Sequence, residues 1–275
     1  MPLLPLVLLA LIQGITEFWP VSSSGHLILV WDALGQAAPG DGPADRLTLD
    51  VAVHVGTLAA VMGYFRRDVA ALLDGARQWA AGSRPGDNEA NTRLLAWVAL
   101  ATLPVAFVGM SVRAHVAEYL REPAVVGWTM LGFGLVLYAA DKAGGLTRRL
   151  REMDAGDALI VGMLQILALI PGTSRAGITM TAGRMLGFSR HESARFALLL
   201  GMPAIAGAGL LTGIDLAQSG DARLTLMAVM AAGLACGAAW LAIAVMMRWL
   251  TSASFTPFVI YRVVLGAAIL GYVYL

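Results

Sequence analysis

The sequence predicts an all-α integral membrane protein with six spanning helices and two re-entrant helical hairpins. That makes ten helical segments, arranged as an inverted-topology repeat. Three observations predict it. Hydrophobic residues make up 58% of the 275 and charged residues only 13%, against about 25% charged in a soluble domain; the mean hydropathy is +0.73. Apolar stretches recur at the length a bilayer demands, about 20 residues. Two polar breaks, Gln13–His26 and Pro171–Thr179, each join a pair of stretches too short to cross alone. The net charge of +1 and the lack of a basic run exclude a nucleic-acid partner. Cys236 is the only cysteine, so no intrachain disulfide and no thiolate cluster can form.

The elements follow in order. Residues 1–12 carry no Lys or Arg; a secretory signal wants a positive start, so this segment is read as part of the mature fold. Segments at about 1–19 and 24–34 form the first hairpin, and crossings follow at about 47–65, 94–112 and 123–140. Segments at about 157–170 and 176–188 form the second hairpin, and crossings follow at about 194–213, 225–247 and 257–275. Helix, Pro/Gly/Ser turn and short helix is a re-entrant pattern, and non-helical backbone at that depth must be buried in protein or line a wet cavity. Arg66, Arg67, Arg77, Arg84 and Arg93 in the loop 66–93, and Lys142, Arg148, Arg149 and Arg151 in the loop 141–157, place both loops in the cytoplasm. The acidic loop 35–46 and the loop 113–122, with Arg113 and Arg121, then lie outside, so the first hairpin opens outward and the second inward.

A hairpin followed by three crossings therefore occurs twice with opposite topology, in a single membrane domain: repeat 1 at about 1–140 and repeat 2 at about 157–275. Gln13 precedes Pro20 as Gln165 precedes Pro171, and Gly56 matches Gly201 in the crossing after each hairpin. Inverted repeats place their site near the midplane, at the broken helices of both halves.

Intramembrane ionisable groups are expensive and mark function. Gln13 and Glu17 are four apart, on one helix face, where the helix C-terminus favours a cation; such oxygens suit Mg²⁺ or Ca²⁺. The alternative is a protonated Glu17 packing the break. Ser22, Ser23 and Ser24 precede the second half-helix. One or two cap it, and a helix N-terminus also receives anions, so a hydroxyl, Ser23 foremost, either attacks or holds a phosphate. His26 is either a satisfied core histidine or a general acid/base. Asp50 and His54 lie at i, i+4 in the next crossing; Asp50 orients His26 or the metal, or sits at the outer interface. In Pro171-Gly172-Thr173-Ser174-Arg175, Gly172 permits close backbone approach and Arg175 presents a fork matched to phosphate. Arg175 pairs with a ligand or bridges to Glu17. Thr173, Ser174 and Thr179 add substrate hydrogen bonds. Arg184, Arg190 and Arg195 are expected at the cytoplasmic interface, where long side chains snorkel.

At these residues the chain resembles the undecaprenyl-diphosphatase family, the membrane phosphatases also called bacitracin-resistance proteins. Gln13, Glu17, Pro20, Ser22, Ser23, Gly25 and His26 match its first motif, and Pro171, Gly172, Ser174, Arg175, Gly177 and Thr179 its second. Gly187 through Phe196 to Pro203 is similar too, and Asp50 falls where the family carries an aspartate. Ala176 stands in place of the usual serine, and Gln13 in place of the acidic option, which weakens a two-carboxylate metal site.

The resemblance implies hydrolysis of undecaprenyl diphosphate to the monophosphate, recycling the lipid carrier of cell-wall synthesis at the bacterial inner membrane. It implies a divalent cation, Mg²⁺ or Ca²⁺, on Glu17 and Gln13, and a site facing the periplasm. In this reading Glu17, Ser23, His26 and Arg175 are catalytic. Gln13, Ser22, Ser24, Gly172, Thr173, Ser174 and Thr179 bind substrate, and Asp50 supports them from behind. Inverted repeats are also transporter architecture, so a flippase of a lipid phosphate or an anion carrier is the rival. The glycines of Gly132-Phe133-Gly134 permit close helix packing within one chain or across a homodimer.

Overall fold

A computed structural model describes residues 3–34, 42–82, 90–120 and 122–275, without the side chains of 43–44, 113–119 and 208. Among the described residues it is all-helical: α1 (Leu3–Thr16), α2 (Ser23–Leu34), α3 (Pro43–Tyr64), α4 (Arg66–Ala80), α5 (Ala90–Tyr119), α6 (Pro123–Ala143), α7 (Ala155–Gln165), α8 (Arg175–Met185), α9 (Arg190–Ser219), α10 (Ala222–Trp249) and α11 (Thr256–Tyr274). A 3₁₀ turn, Ile166–Leu169, extends α7. Six helices, α3, α5, α6, α9, α10 and α11, are long and apolar enough to cross a membrane. Large apolar side chains stand exposed on them, Phe107, Met110, Leu210, Leu211 and Val264 among others, a surface that a water-soluble monomer rarely carries.

The six long helices coincide with the six expected crossings, and four of the five shorter ones, α1, α2, α7 and α8, with the four expected short segments. The count of ten segments is corrected to eleven helices among the described residues. The stretch read as the loop 66–93 contains α4, an amphipathic helix. Its arginines depress the hydropathy, but Val69 and Leu72 pack on the core. Gly75 lets α4 approach α5, since a Cβ there would meet Asn91 O at 2.4 Å. Asp74 accepts from Asn91 Nδ2 at 2.7 Å and Gln78 accepts from Thr92 at 2.9 Å. The expected outer loop 113–122 is mostly helix, because α5 runs to Tyr119. Arg84, Arg121 and most of the loop 35–46 lie outside the described residues.

Small residues set the close packing. Gly56 of α3 faces the Ala232 backbone of α10, Gly14 of α1 faces Ala235 and Ala238 of α10, and Gly162 of α7 faces Ala101 of α5. Gly134 packs on Arg262 of α11, so it serves within the chain, whereas Gly132 meets nothing within 4 Å. Beneath both polar turns lies one apolar core, which includes Phe18, Val21, Ala176, Met180, Leu198 and Phe255.

Arg184 corrects a second expectation. It is fully buried rather than snorkelling. Its Nε donates to Asp141 at 3.1 Å, and its Nη atoms donate to the carbonyls of Asp141, Gly144, Gly145 and Phe188. The carbonyls left unsatisfied at the end of α6 close over the guanidinium and take the place of water. Arg190 also pairs with Asp141, at 2.7 Å, and Arg195 pairs with Asp68.

Candidate active site

Each polar break folds into a tight turn that ends on a serine N-cap. Ser22 precedes α2 and Ser174 precedes α8, both at φ 72°, the only non-glycine residues with positive φ among the described residues. That conformation costs a residue with a Cβ about 1–3 kcal/mol and survives where the surroundings enforce it. The Gly25 N–H donates to Ser22 Oγ at 3.4 Å, and the Gly177 N–H donates to Ser174 Oγ at 3.0 Å. The next amides, of His26 and Ile178, donate to the serine carbonyls at 3.2 and 2.9 Å.

Arg262 of α11 enforces both turns at once. It is fully buried. Nη1 donates to the carbonyls of Pro20 at 3.1 Å and Thr173 at 2.9 Å, Nη2 to Gly172 at 3.0 Å and Thr129 at 3.2 Å, and Nε to Met130 at 3.1 Å. All five N–H groups of the guanidinium thus end on carbonyls. Gly172, at φ 88°, allows this convergence, because a Cβ there would fall 2.0 Å from Thr129 Oγ1. The two turns touch: a Cβ on Gly25 would sit 3.5 Å from Gly172 Cα.

Glu17 lies where the turns meet. Its Oε2 accepts from Gln13 Nε2 at 2.8 Å and Ser23 Oγ at 2.5 Å, with His54 Nε2 at 3.5 Å. Its Oε1 accepts from Arg175 Nη2 at 2.9 Å. Gly201 of α9 makes room for the guanidinium, since a Cβ there would lie 1.8 Å from Arg175 Nη1. The carboxylate comes from one half of the chain and the cation from the other. A cavity of about 400 Å³ opens beside them, lined by Glu17, Ser23, Ser24, Asp50, His54, Ser174 and Arg175 among others.

Several expected site residues point elsewhere. The face of α2 on the cavity is Ser24, Leu27, Ile28 and Trp31. His26, two residues beyond Ser24, is turned about 200° around the helix. Its Nδ1 lies 2.7 Å from the Ser22 carbonyl, so that nitrogen carries the proton, and its Nε2 accepts from Tyr261 OH at 2.6 Å. Thr179 Oγ1 donates back to the Arg175 and Ala176 carbonyls, and buried Thr173 Oγ1 has no partner. Ser22 and Gly172 shape the turns. Asp50 accepts from Trp31 Nε1 at 2.8 Å. His54, noted in the sequence only for its spacing from Asp50, faces Glu17 instead, its Nδ1 donating to the Asp50 carbonyl at 2.6 Å. Arg262 escaped the sequence reading, although a lone arginine in an apolar helix is the signal that finds it.

Beside the Glu17 carboxylate, Gln13 Oε1 is buried and without a partner. Among the described residues no three carboxylate, imidazole or thiol groups converge.

Residues 6–268 match the family model described as bacitracin resistance protein BacA. The chain is 48% identical to undecaprenyl-diphosphatase 1 of Rhodospirillum rubrum over 278 residues, which is 100% of this chain and 96% of that protein. It is 46% identical to undecaprenyl-diphosphatase of Roseobacter denitrificans over 275 residues, the whole of both proteins. It is 47% identical to the Ruegeria enzyme of the same name over 275 residues, again the whole of both.

Proposed function

The chain belongs to the bacitracin resistance protein BacA family, and from that premise we propose how its two turns hydrolyse undecaprenyl diphosphate to undecaprenyl phosphate and inorganic phosphate. The protein is a membrane phosphatase, as its relatives are named; their names lend nothing to the carrier alternative. The observation that carries the mechanism is the Glu17–Arg175 contact at 2.9 Å with Ser23 Oγ 2.5 Å from the same carboxylate.

The diphosphate enters the cavity with its prenyl tail in lipid. Arg175 and the N-termini of α2 and α8 receive the phosphate oxygens, where fixed donors stabilise charge that develops in flight. Ser23 Oγ attacks the terminal phosphorus and passes its proton to Glu17 as the bridging P–O bond breaks. Undecaprenyl phosphate leaves, and water then hydrolyses the phosphoserine. His54, with its Nδ1 proton held by the Asp50 carbonyl, offers Nε2 to relay the proton. The acid/base work expected of His26 passes in this mechanism to Glu17 and His54, and His26 holds the Ser22 turn. Glu17 and the orphaned Gln13 Oε1 would hold a divalent cation, completed by the substrate's own phosphate oxygens as is usual for Mg²⁺. Such an ion would neutralise the diphosphate.

The packing supports an inverted repeat built on re-entrant hairpins. The capped turns match, with Gln13 and Gln165 each nine positions ahead of the serine (13 to 22, 165 to 174), and both glutamines are buried with Oε1 unpartnered. α1 packs on α10 as α7 packs on α5, while α3 pairs with α9 and α6 with α11. The arginines gathered around α4, the start of α5, and residues 148–151 and 190–195 favour the cytoplasm. The Glu17 cavity, reached past Trp31, Leu47 and Asp50, then opens toward the periplasm of the inner membrane.

The test is phosphate release from undecaprenyl diphosphate by the purified protein in detergent, where vectorial movement cannot register. Glu17→Ala and Arg175→Ala should each lower turnover by about 10²–10³, the scale of a lost transition-state donor, while the protein still folds. Near-normal release by both would overturn the assignment. Substantial turnover in Ser23→Ala would make water the nucleophile.

A further inference from the structure

A second cavity, of about 350 Å³, lies among α4, α5, α9 and the Leu150 segment, walled by Arg67, Asp68, Arg93, Trp97, Arg151 and Arg195. It is remote from the first. From Asp50, on the wall of the Glu17 cavity, α3 rises about 20 Å to Tyr64, and Arg67 follows on α4.

Its charge is unbalanced. Among the described residues, four guanidinium groups face one carboxylate, and that carboxylate is already engaged, since Asp68 accepts from both Nε and Nη2 of Arg195. Glu192, the next acid along α9, accepts from Arg195 at 3.4 Å and from the Leu150 N–H at 3.1 Å. No described residue pairs with Arg67, Arg93 or Arg151. Arg67 and Arg151 are exposed and Arg93 is half-buried. Like charges aimed at one cavity repel unless an anion sits between them. Two helices also begin here: α4 at Arg66 and α5 at Ala90. Their N-terminal dipoles add positive potential to the same space. Apart from Asn91, the remaining wall, with Ala71, Leu94, Trp97 and Leu150, is apolar, so cation and hydrocarbon contact are offered side by side.

We infer that this cavity binds a phosphate-bearing anion, with the chemistry of an acidic phospholipid headgroup, at the end of the molecule remote from the Glu17–Arg175 site. Planar guanidinium forks grip the phosphate oxygens, and the glycerol and first methylenes lie on Trp97 and Leu94. Basic pockets between helices at the cytoplasmic face are where such headgroups lodge.

The experiment is native mass spectrometry of the full-length protein in detergent, titrated with phosphatidylglycerol and, separately, phosphatidylcholine. One phosphatidylglycerol should be retained saturably, and phosphatidylcholine should not. The variant Arg67→Gln/Arg93→Gln/Arg151→Gln should bind phosphatidylglycerol at least about tenfold more weakly, given three surface cations removed. Arg67→Gln/Arg151→Gln, which changes only exposed side chains, should show a smaller loss in the same direction and decides the matter if the triple variant fails to fold by thermal melting. Displacement of the lipid by millimolar orthophosphate would assign the site to phosphate itself, and resistance to it would assign the site to the lipid headgroup. Unchanged binding in the double variant, or equal retention of phosphatidylcholine, overturns the proposal.

Discussion

The turn before α2 and the turn before α8 each hold a serine at φ 72°, nine residues after a buried glutamine, yet the residue after that serine is Ser23 in one and Arg175 in the other. The first turn is preceded by Glu17; the position five before the second serine is Leu169. Backbone and capping are therefore shared, while charge is divided: the anion and hydroxyl come from one turn, the cation from the other. Neither turn alone makes the cavity chemically competent. Damage to what the turns share should cost stability as well as turnover, and damage to what they divide should cost chiefly turnover.

Arg262 is what they share most directly. In Arg262→Met, the turn carbonyls of Pro20, Gly172 and Thr173 lose their donor, and those of Thr129 and Met130, inside α6, lose a second one. Each orphaned buried acceptor costs about 1–3 kcal/mol, so the melting temperature in detergent should fall by about 5 °C or more and phosphate release should collapse with it. Arg175→Ala should lower turnover by about 10²–10³ with a smaller fall in melting temperature, because Glu17 loses its cation but keeps Gln13, Ser23 and His54. An Arg262→Met protein that melts like wild type would break the distinction.

Gly201→Ala strikes the divided chemistry indirectly. The new Cβ falls on the Arg175 guanidinium and presses it away from Glu17. A misplacement of about 1 Å can cost on the order of 10²-fold, so turnover should drop by about that factor while melting shifts little. Normal turnover would mean that Arg175 is not held where catalysis needs it.

The two histidines sharpen the comparison further. His54→Ala should lower turnover by about 10²-fold, the lower end for acid/base groups, and flatten its pH profile. His26→Ala removes the bridge from the Ser22 carbonyl to Tyr261 and should lower the melting point more than it alters the pH profile. Tyr261→Phe should reproduce that melting change in part. The opposite pattern would return the acid/base role to His26.

Much of this was legible in the sequence. The six long helices announce themselves by length and apolarity, and the two turns by residues that neither a helix nor a bilayer tolerates. The meeting of Glu17 and Arg175 followed from cost, because each would be an unpaired buried charge without the other. Helix phase was less legible. His26 is close to Ser23 in sequence, but the cavity face of α2 runs through Ser24, Leu27, Ile28 and Trp31, and the imidazole falls behind it. α4 was hidden because its arginines dominate a hydropathy average while its inward side is Asp68, the small Gly75 and the half-buried Val69 and Leu72. Arg184 looked like an interfacial arginine at a helix end; three of the four carbonyls that enclose it belong to residues some forty positions away, which no local pattern reveals. Arg262 is the same case on a larger scale, with partners drawn from three distant segments.

The smallest expected effect tests whether the two caps are equivalent. Ser22→Ala and Ser174→Ala keep the positive φ but remove the capping oxygen, which costs about 1 kcal/mol. Ser22→Gly and Ser174→Gly also lose the oxygen but relieve the strained φ, so both should melt within about 3 °C of wild type and above their alanine counterparts. The cap bond at Ser174 is shorter than that at Ser22, 3.0 against 3.4 Å, so Ser174→Ala should cost slightly more. The glycine variants should also leave turnover nearly intact, because the turns are fixed through the Pro20, Gly172 and Thr173 carbonyls rather than through the serine hydroxyls. If one glycine variant abolishes turnover while the other does not, that serine oxygen contacts substrate, and the two turns differ in more than the residue after the cap.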